Sequence, residues 1–136
     1  GSIHSSLSAD GGETWSAPEP TTLESPCSAL TLRRAPDGRL VCLYNHATPL
    51  KEGAFFPRTP LVYAVSSDDG ATWSAPVVID ATGVDRRDRQ NVYPSPCFTP
   101  EGMLVIWSTH AADPKGSFAG EDDATIGGGK RAIVAF

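Results

Sequence analysis

Ser8-Ala9-Asp10-Gly11-Gly12-Glu13-Thr14-Trp15 and Ser66-Ser67-Asp68-Asp69-Gly70-Ala71-Thr72-Trp73 share the pattern S-x-D-x-G-x-T-W, and both continue as Ser-Ala-Pro. Asp10 and Asp68 stand 58 residues apart. Each element of the pattern has a local physical reason. A short carboxylate can accept hydrogen bonds from N–H groups of its own turn, a glycine can take φ > 0, and the tryptophan can fold back over the turn. A second repeat runs between these two. Pro36-Asp37-Gly38-Arg39-Leu40-Val41 aligns with Pro100-Glu101-Gly102-Met103-Leu104-Val105, and His46-Ala47 with His110-Ala111, at an offset of 64. Two interleaved repeats of similar period mark a repeat architecture.

The runs flanking these turns are apolar and β-rich: Ala29–Arg34, Arg39–Asn45, Leu61–Ser66, Ala75–Ile79, Val92–Thr99, Met103–Ser108 and Arg131–Phe136, with Ser2–Ser8 reading as the third strand of the first blade. No segment carries a helical period, and the 13 glycines and 12 prolines are spread along the chain, as many short strands joined by turns require. The order per period is strand, Pro-x-Gly hairpin, strand, long loop, strand, S-x-D-x-G-x-T-W hairpin, strand. That is an antiparallel four-stranded propeller blade. The expected fold is therefore all-β, a partial β-propeller. Residues 1–23 form the end of one blade, 24–81 a complete blade and 82–136 the first three strands of another. A ring closes with four or more blades, so the 136-residue chain reads as a segment of a longer protein that needs further blades to cover its open sheet edges.

Composition narrows the partners. Apolar residues make up 40%, enough for a packed core, and a net charge of −5 argues against a nucleic-acid partner. The cluster Arg86, Arg87 and Arg89 is interleaved with Asp85 and Asp88 and reads as a self-paired loop. No apolar run is long enough to cross a bilayer as a helix. Cys27, Cys42 and Cys97 are odd in number and lack metal-ligand spacing, so buried free thiols are expected rather than a disulfide or zinc site. No cofactor is called for. The acidic loop residues Glu121, Asp122 and Asp123 read as solvated or as part of a lid, with metal binding the weaker alternative. Gly127-Gly128-Gly129 lacks phosphate-loop context. With the true N-terminus expected to be missing, compartment is not legible. A secreted or periplasmic location fits, and so does a cytoplasmic one.

In an up-and-down blade, alternate turns fall on opposite ends. The two repeated turn types share one end, and the longer connections 46–60, 80–92 and 109–130 share the other, where binding and catalysis on a rigid scaffold usually sit. Ser8, Asp10, Gly12, Thr14 and Trp15, with Ser66, Asp68, Gly70, Thr72 and Trp73, are accordingly structural staples. Trp107 is expected to pack between blades.

The S-x-D-x-G-x-T-W turns at blade period, together with the hairpin between them, resemble the Asp boxes of the sialidase (neuraminidase) superfamily. The chain is similar to the C-terminal blades of bacterial sialidase-like proteins with BNR repeats. The likeness runs through Ser2–Ser16, Pro26–Asn45, Arg58-Thr59-Pro60-Leu61, Tyr93-Pro94 and Arg131–Phe136. It implies a six-bladed ring of which this chain supplies about two blades. It also implies a glycoside hydrolase that retains configuration while removing a terminal sialic acid or related acidic sugar. Arg58 stands where the family carries one of three arginines that bind the sugar carboxylate. Tyr93, seven residues before Pro100, stands where the family carries its nucleophile. The acid/base aspartate, the glutamate that assists the tyrosine and the other two arginines have no counterpart here, so the chain by itself is expected to be inactive.

These residue types suit the chemistry. Arg pairs a carboxylate bidentately, and a neutral phenol avoids the repulsion that a carboxylate nucleophile would meet beside the sugar's own carboxylate. Competing readings make Tyr93 an amphipathic strand-end residue and Arg58 a loop charge. Glu24, His46 and His110 are further substrate-binding candidates on the same rim. Glu24 matches no assignable family position, and the two histidines, being repeat equivalents, read first as structural. The alternative to an enzyme is a non-catalytic glycan-binding or interaction propeller that keeps the same boxes.

Overall fold

The computed structural model of the protein describes residues 1–46, 58–82, 89–111 and 129–134. Nine strands, β1 (Ser2–Ser5), β2 (Glu19–Glu24), β3 (Thr31–Arg34), β4 (Leu40–Asn45), β5 (Leu61–Ser66), β6 (Val77–Asp80), β7 (Arg89–Thr99), β8 (Gly102–Ala111) and β9 (Gly129–Val134), make up its secondary structure, with no helix among the described residues. They form three antiparallel meanders, β1-β2, β3-β4-β5-β6 and β7-β8-β9, and every strand pairs only with its neighbours in sequence. The fold is all-β, with sheets of the kind found in propeller blades.

The middle sheet explains the apolar runs. Antiparallel sheets usually alternate apolar and polar residues because one face meets water. Leu40–Tyr44 does not alternate, since both faces of β4 are covered. Val41 and Leu43 join Ala35, Leu61, Met103, Val105 and Trp107 in a core between the second and third sheets. Cys42 and Tyr44 join Leu23, Val62 and Ala64 in a core between the first and second sheets. Tyr44, with its phenol pushed up to about 12 by burial, and Cys42, pushed to about 12 by the same cause, stay neutral there.

Several expectations need revision. The strand that the blade order places after the first box is Glu19–Glu24, a mostly polar run absent from the apolar segments because only Leu23 is buried. Strand β7 starts at Arg89 and β8 runs to Ala111, so the connections expected over 80–92 and 109–130 are shorter, and Arg89 and Gly129 belong to strands. Cys42 is buried, but Cys27 and Cys97 are exposed, and all three thiols are free. The aligned Pro-x-Gly hairpins differ too. Gly38 (φ 90) closes a three-residue loop in which Ala35 N–H donates to the Arg39 carbonyl at 2.8 Å, whereas Gly102 (φ 144) already pairs with Thr99. Residues 83–88 and 112–128, which include Arg86, Arg87, Glu121, Asp122 and Asp123, lie outside the described residues.

Leu61 is fully buried between two sheets, while Leu32 is 44% exposed on β3. Leu61→Ala is expected to destabilise the protein by about 2–5 kcal/mol in urea denaturation, and Leu32→Ala by about 0.5 kcal/mol or less.

Candidate functional site

Two ends of the sheets differ in chemistry. At one end the two boxes fold as near copies. Ser8 Oγ donates to Asp10 Oδ1 at 2.7 Å and accepts from Gly12 N–H at 2.7 Å. Thr14 donates twice to Asp10, from its amide at 2.9 Å and from its hydroxyl at 2.6 Å. The second box repeats this with Ser66, Gly70 and Thr72 around Asp68, at 2.7, 2.8, 2.8 and 2.5 Å. Gly12 (φ 100) and Gly70 (φ 92) take the left-handed conformation, and a Cβ on either would come within 3.8 or 3.7 Å of the tryptophan ring that follows. The tryptophans part company there. Trp15 Nε1 donates to the Gly12 carbonyl at 3.0 Å and its ring is 64% exposed. Trp73 packs against the core between the first and second sheets, and its Nε1 finds no acceptor among the described residues.

Both carboxylates are committed to these turns. The Thr72 hydroxyl, then the Thr72 amide and the Ser66 hydroxyl, hold the Asp68 carboxyl down at about 2. The hydroxyl and amide of Thr14, then Ser8, hold Asp10 well below the usual carboxylate range. Neither is available for proton transfer near neutrality. A cleft of about 550 Å³ opens at this same end, between the hairpins, lined by Pro36, Phe98, Pro100 and Glu101. It is far along the strands from the candidate residues of the sequence reading.

Those candidates gather at the opposite end. Exposed Glu24 closes β2, and its carbonyl lies 3.2 Å from His46 Nδ1, just beyond β4. The His46 ring meets Tyr44 edge-on, with centroids 6.2 Å apart. His46 N–H donates to the Pro60 carbonyl at 3.1 Å, and two residues earlier the Arg58 carbonyl accepts from Asn91 N–H at 2.8 Å. Asn91 lies two residues before Tyr93. One ring-nitrogen contact and two backbone hydrogen bonds thus link Glu24, His46 and the segments that carry Arg58 and Tyr93 across three sheets. His110 lies one strand further, opposite Gln90 and exposed.

Tyr93 has an unusual backbone. Val92 pairs with Ser108 and Ser95 with Ile106, so Tyr93 and Pro94 together oppose Trp107 in a β-bulge. Tyr93 sits at φ 55, in the left-handed region that non-glycine residues seldom enter, and its side chain is 65% exposed. Bulges and strained residues of this kind re-aim side chains next to functional sites.

Sequence reasoning missed the residues beneath the rim. Asn45, 1% exposed, donates from Nδ2 to the carbonyls of Arg58 at 2.8 Å and Asn91 at 2.9 Å. Fully buried Asn91 accepts from Thr109 Oγ1 at 3.0 Å. Asp80 Oδ2 accepts from Trp107 Nε1 at 3.1 Å, and its Oδ1 from Thr82 N–H at 2.7 Å. A signal was present: Asn45 ends an apolar strand, and Thr109 occupies the equivalent place in the repeat. Among the described residues no group of three His, Cys, Asp or Glu could hold a metal ion.

The arrangement of boxed turns on antiparallel meanders agrees with comparison against protein families, where the BNR repeat-like domain matches residues 1–106. The chain belongs to the BNR repeat-like domain family. No curated protein and no solved structure matches it. The BNR repeat match spans both boxes, the Arg58 segment and the Tyr93 bulge, and ends within β8.

The boxes have a pH signature. The folded Asp68 carboxyl lies below its ordinary value of 3.8. Its stabilising contribution is therefore complete above that value and is lost as pH falls toward about 2. Asp68→Asn, which turns an amide donor toward the Thr72 and Ser66 donors, is expected to lower the melting temperature at neutral pH. It should also flatten the fall in melting temperature on acidification from about pH 5 to 2, followed by circular dichroism.

Proposed function

We propose that this protein forms the rim of a sialidase-like glycoside hydrolase, with Tyr93 as nucleophile and Arg58 as a ligand for the carboxylate of a terminal sialic acid or related acidic sugar. The observation that carries this reading is the Tyr93 bulge. An exposed phenol stands on a strained backbone, on a segment hydrogen-bonded to Arg58, at the end of the sheets opposite the boxes.

The chemistry asks for this pairing. Arg58 can offer two parallel N–H donors to a carboxylate. That carboxylate sits on the anomeric carbon of a sialoside, so an anionic nucleophile would approach against like charge. A phenol is neutral until it attacks. Its oxygen forms a bond to the anomeric carbon as the glycosidic C–O bond breaks. The phenolic proton passes to a neighbouring carboxylate, and a protonated acid delivers a proton to the leaving oxygen. Water then attacks the same carbon, releases the tyrosine and restores the original configuration. On this reading the proton acceptor and the acid belong to other blades of the ring. Glu24 and His46, joined at 3.2 Å, and exposed His110 would line the same rim as substrate contacts.

The test is hydrolysis of a fluorogenic sialoside by the complete protein. Tyr93→Phe preserves the ring and its backbone demands but removes the attacking oxygen. It is expected to lower kcat about a thousandfold or more, on the scale of other nucleophile deletions. Arg58→Lys keeps the charge but loses the fork, and KM should rise about tenfold. Full activity in Tyr93→Phe would remove Tyr93 as nucleophile. Sialoside binding without hydrolysis by the unaltered protein would make this a glycan-binding propeller instead.

A further inference from the structure

The Tyr93 bulge is tied to the neighbouring sheet as well as to its own. Three anchors surround Tyr93. Two residues before it, Asn91 N–H donates to the Arg58 carbonyl at 2.8 Å. Across the strand pair, Trp107, the single residue opposing the bulge, is 6% exposed and donates from Nε1 to Asp80 of β6 at 3.1 Å. One residue after it, the carbonyl of buried Pro94 accepts from Thr31 Oγ1 of β3 at 2.6 Å. The first anchor is backbone. The second belongs to the core. The third is a lone hydroxyl on a half-buried residue, aimed at the peptide adjoining the strained one.

We propose that Thr31 is a positioning residue: its hydroxyl clamps the Pro94 carbonyl and fixes the direction in which the bulge presents Tyr93. The inference rests on Tyr93 being the reactive group, as proposed above. A bulge places two residues against one and can relax by redistributing its torsions between them. Pro94 contributes little to that relaxation, because its ring fixes φ. The soft torsions are those of Tyr93 and the ψ of Pro94, and the Pro94 carbonyl reports the latter. Tying this carbonyl to β3 removes the freedom that would let Tyr93 swing out of the left-handed region. A phenol that must meet an anomeric carbon in line is sensitive to such a swing, since misplacement on the ångström scale is enough to slow an enzyme about a hundredfold.

Thr31→Val retains the β-branched shape and removes the hydroxyl; Thr31→Ser retains the hydroxyl. Amide hydrogen exchange of the complete protein should accelerate about five- to tenfold at Tyr93 and Ser95 in Thr31→Val, the weight of one net hydrogen bond. Met103 and Val105 should keep their protection, and Thr31→Ser should match the unaltered protein. In sialoside hydrolysis Thr31→Val should lose about ten- to a hundredfold in kcat with KM within about twofold, and Thr31→Ser should recover the rate. Unchanged exchange at Tyr93 and Ser95, or acceleration spread evenly over β3 to β8, would overturn the clamp. Local acceleration with full kcat would overturn its role in positioning the nucleophile. If the unaltered protein hydrolyses no sialoside, the proposed function falls, and exchange alone then decides whether Thr31 holds the bulge.

Discussion

Burial of both faces of β4 and β5, the inner strands of the middle sheet, is the constraint on which the rest of the structure depends. A meander that leaves one face to water can alternate apolar and polar residues, but this one is packed on either side. Val41 and Leu43 face one core while Cys42 and Tyr44 face the other, and Leu61 and Val62 divide in the same way. Each fully buried side chain of this size contributes about 1.5–3 kcal/mol relative to an exposed one. Polar groups are thereby driven to the strand ends, where one end satisfies them within boxed turns and the other through hydrogen bonds between sheets.

At the rim, backbone groups must be satisfied where strands stop and sheets meet. Asn45 does this for two sheets at once. Its amide answers the carbonyls of Arg58 and Asn91, and Asn91 in turn is answered by Thr109. A buried polar cluster left half-paired would destabilise the interface, whereas one satisfied throughout fixes a unique register between the sheets. The consequence for function is geometric. Arg58 and Tyr93 lie 35 positions apart in sequence yet share a hydrogen bond between their segments, so neither can shift without disturbing the other.

How much of this could be read from sequence depended on how local the cause was. The boxes were legible because every donor and acceptor lies within a few residues of its partner, from Ser8 to Trp15 and from Ser66 to Trp73. The apolar runs of β4 and β5 were legible for the same reason. Strand β2 is legible only from the repeat order and not from an apolar pattern, since its pairing with β1 runs through backbone contacts such as Ser2 opposite Glu24. Tyr93 is singled out only by the family resemblance, and no feature of the sequence marks its conformation. A residue before proline is pushed toward extended conformations, yet Tyr93 precedes Pro94 and stands at φ 55. Contacts with residues 63 positions away along the chain, as between Thr31 and Pro94, override that preference and leave no local trace.

Separating the two ends also separates two kinds of robustness. Asp10 and Asp68 are surrounded by their own turns, so a change there is absorbed within a few residues of chain and acts first on stability. The rim has no such insulation. Asn45, Asn91, Asp80 and Thr31 each bond to a neighbouring sheet, so a change at the sheet interface is shared between sheets rather than absorbed locally. A repeat can keep its boxes, whose bonds are all local, while the hydrogen bonds between its sheets change. The box pattern is for this reason a sound guide to architecture, and it carries no information about the register between neighbouring sheets.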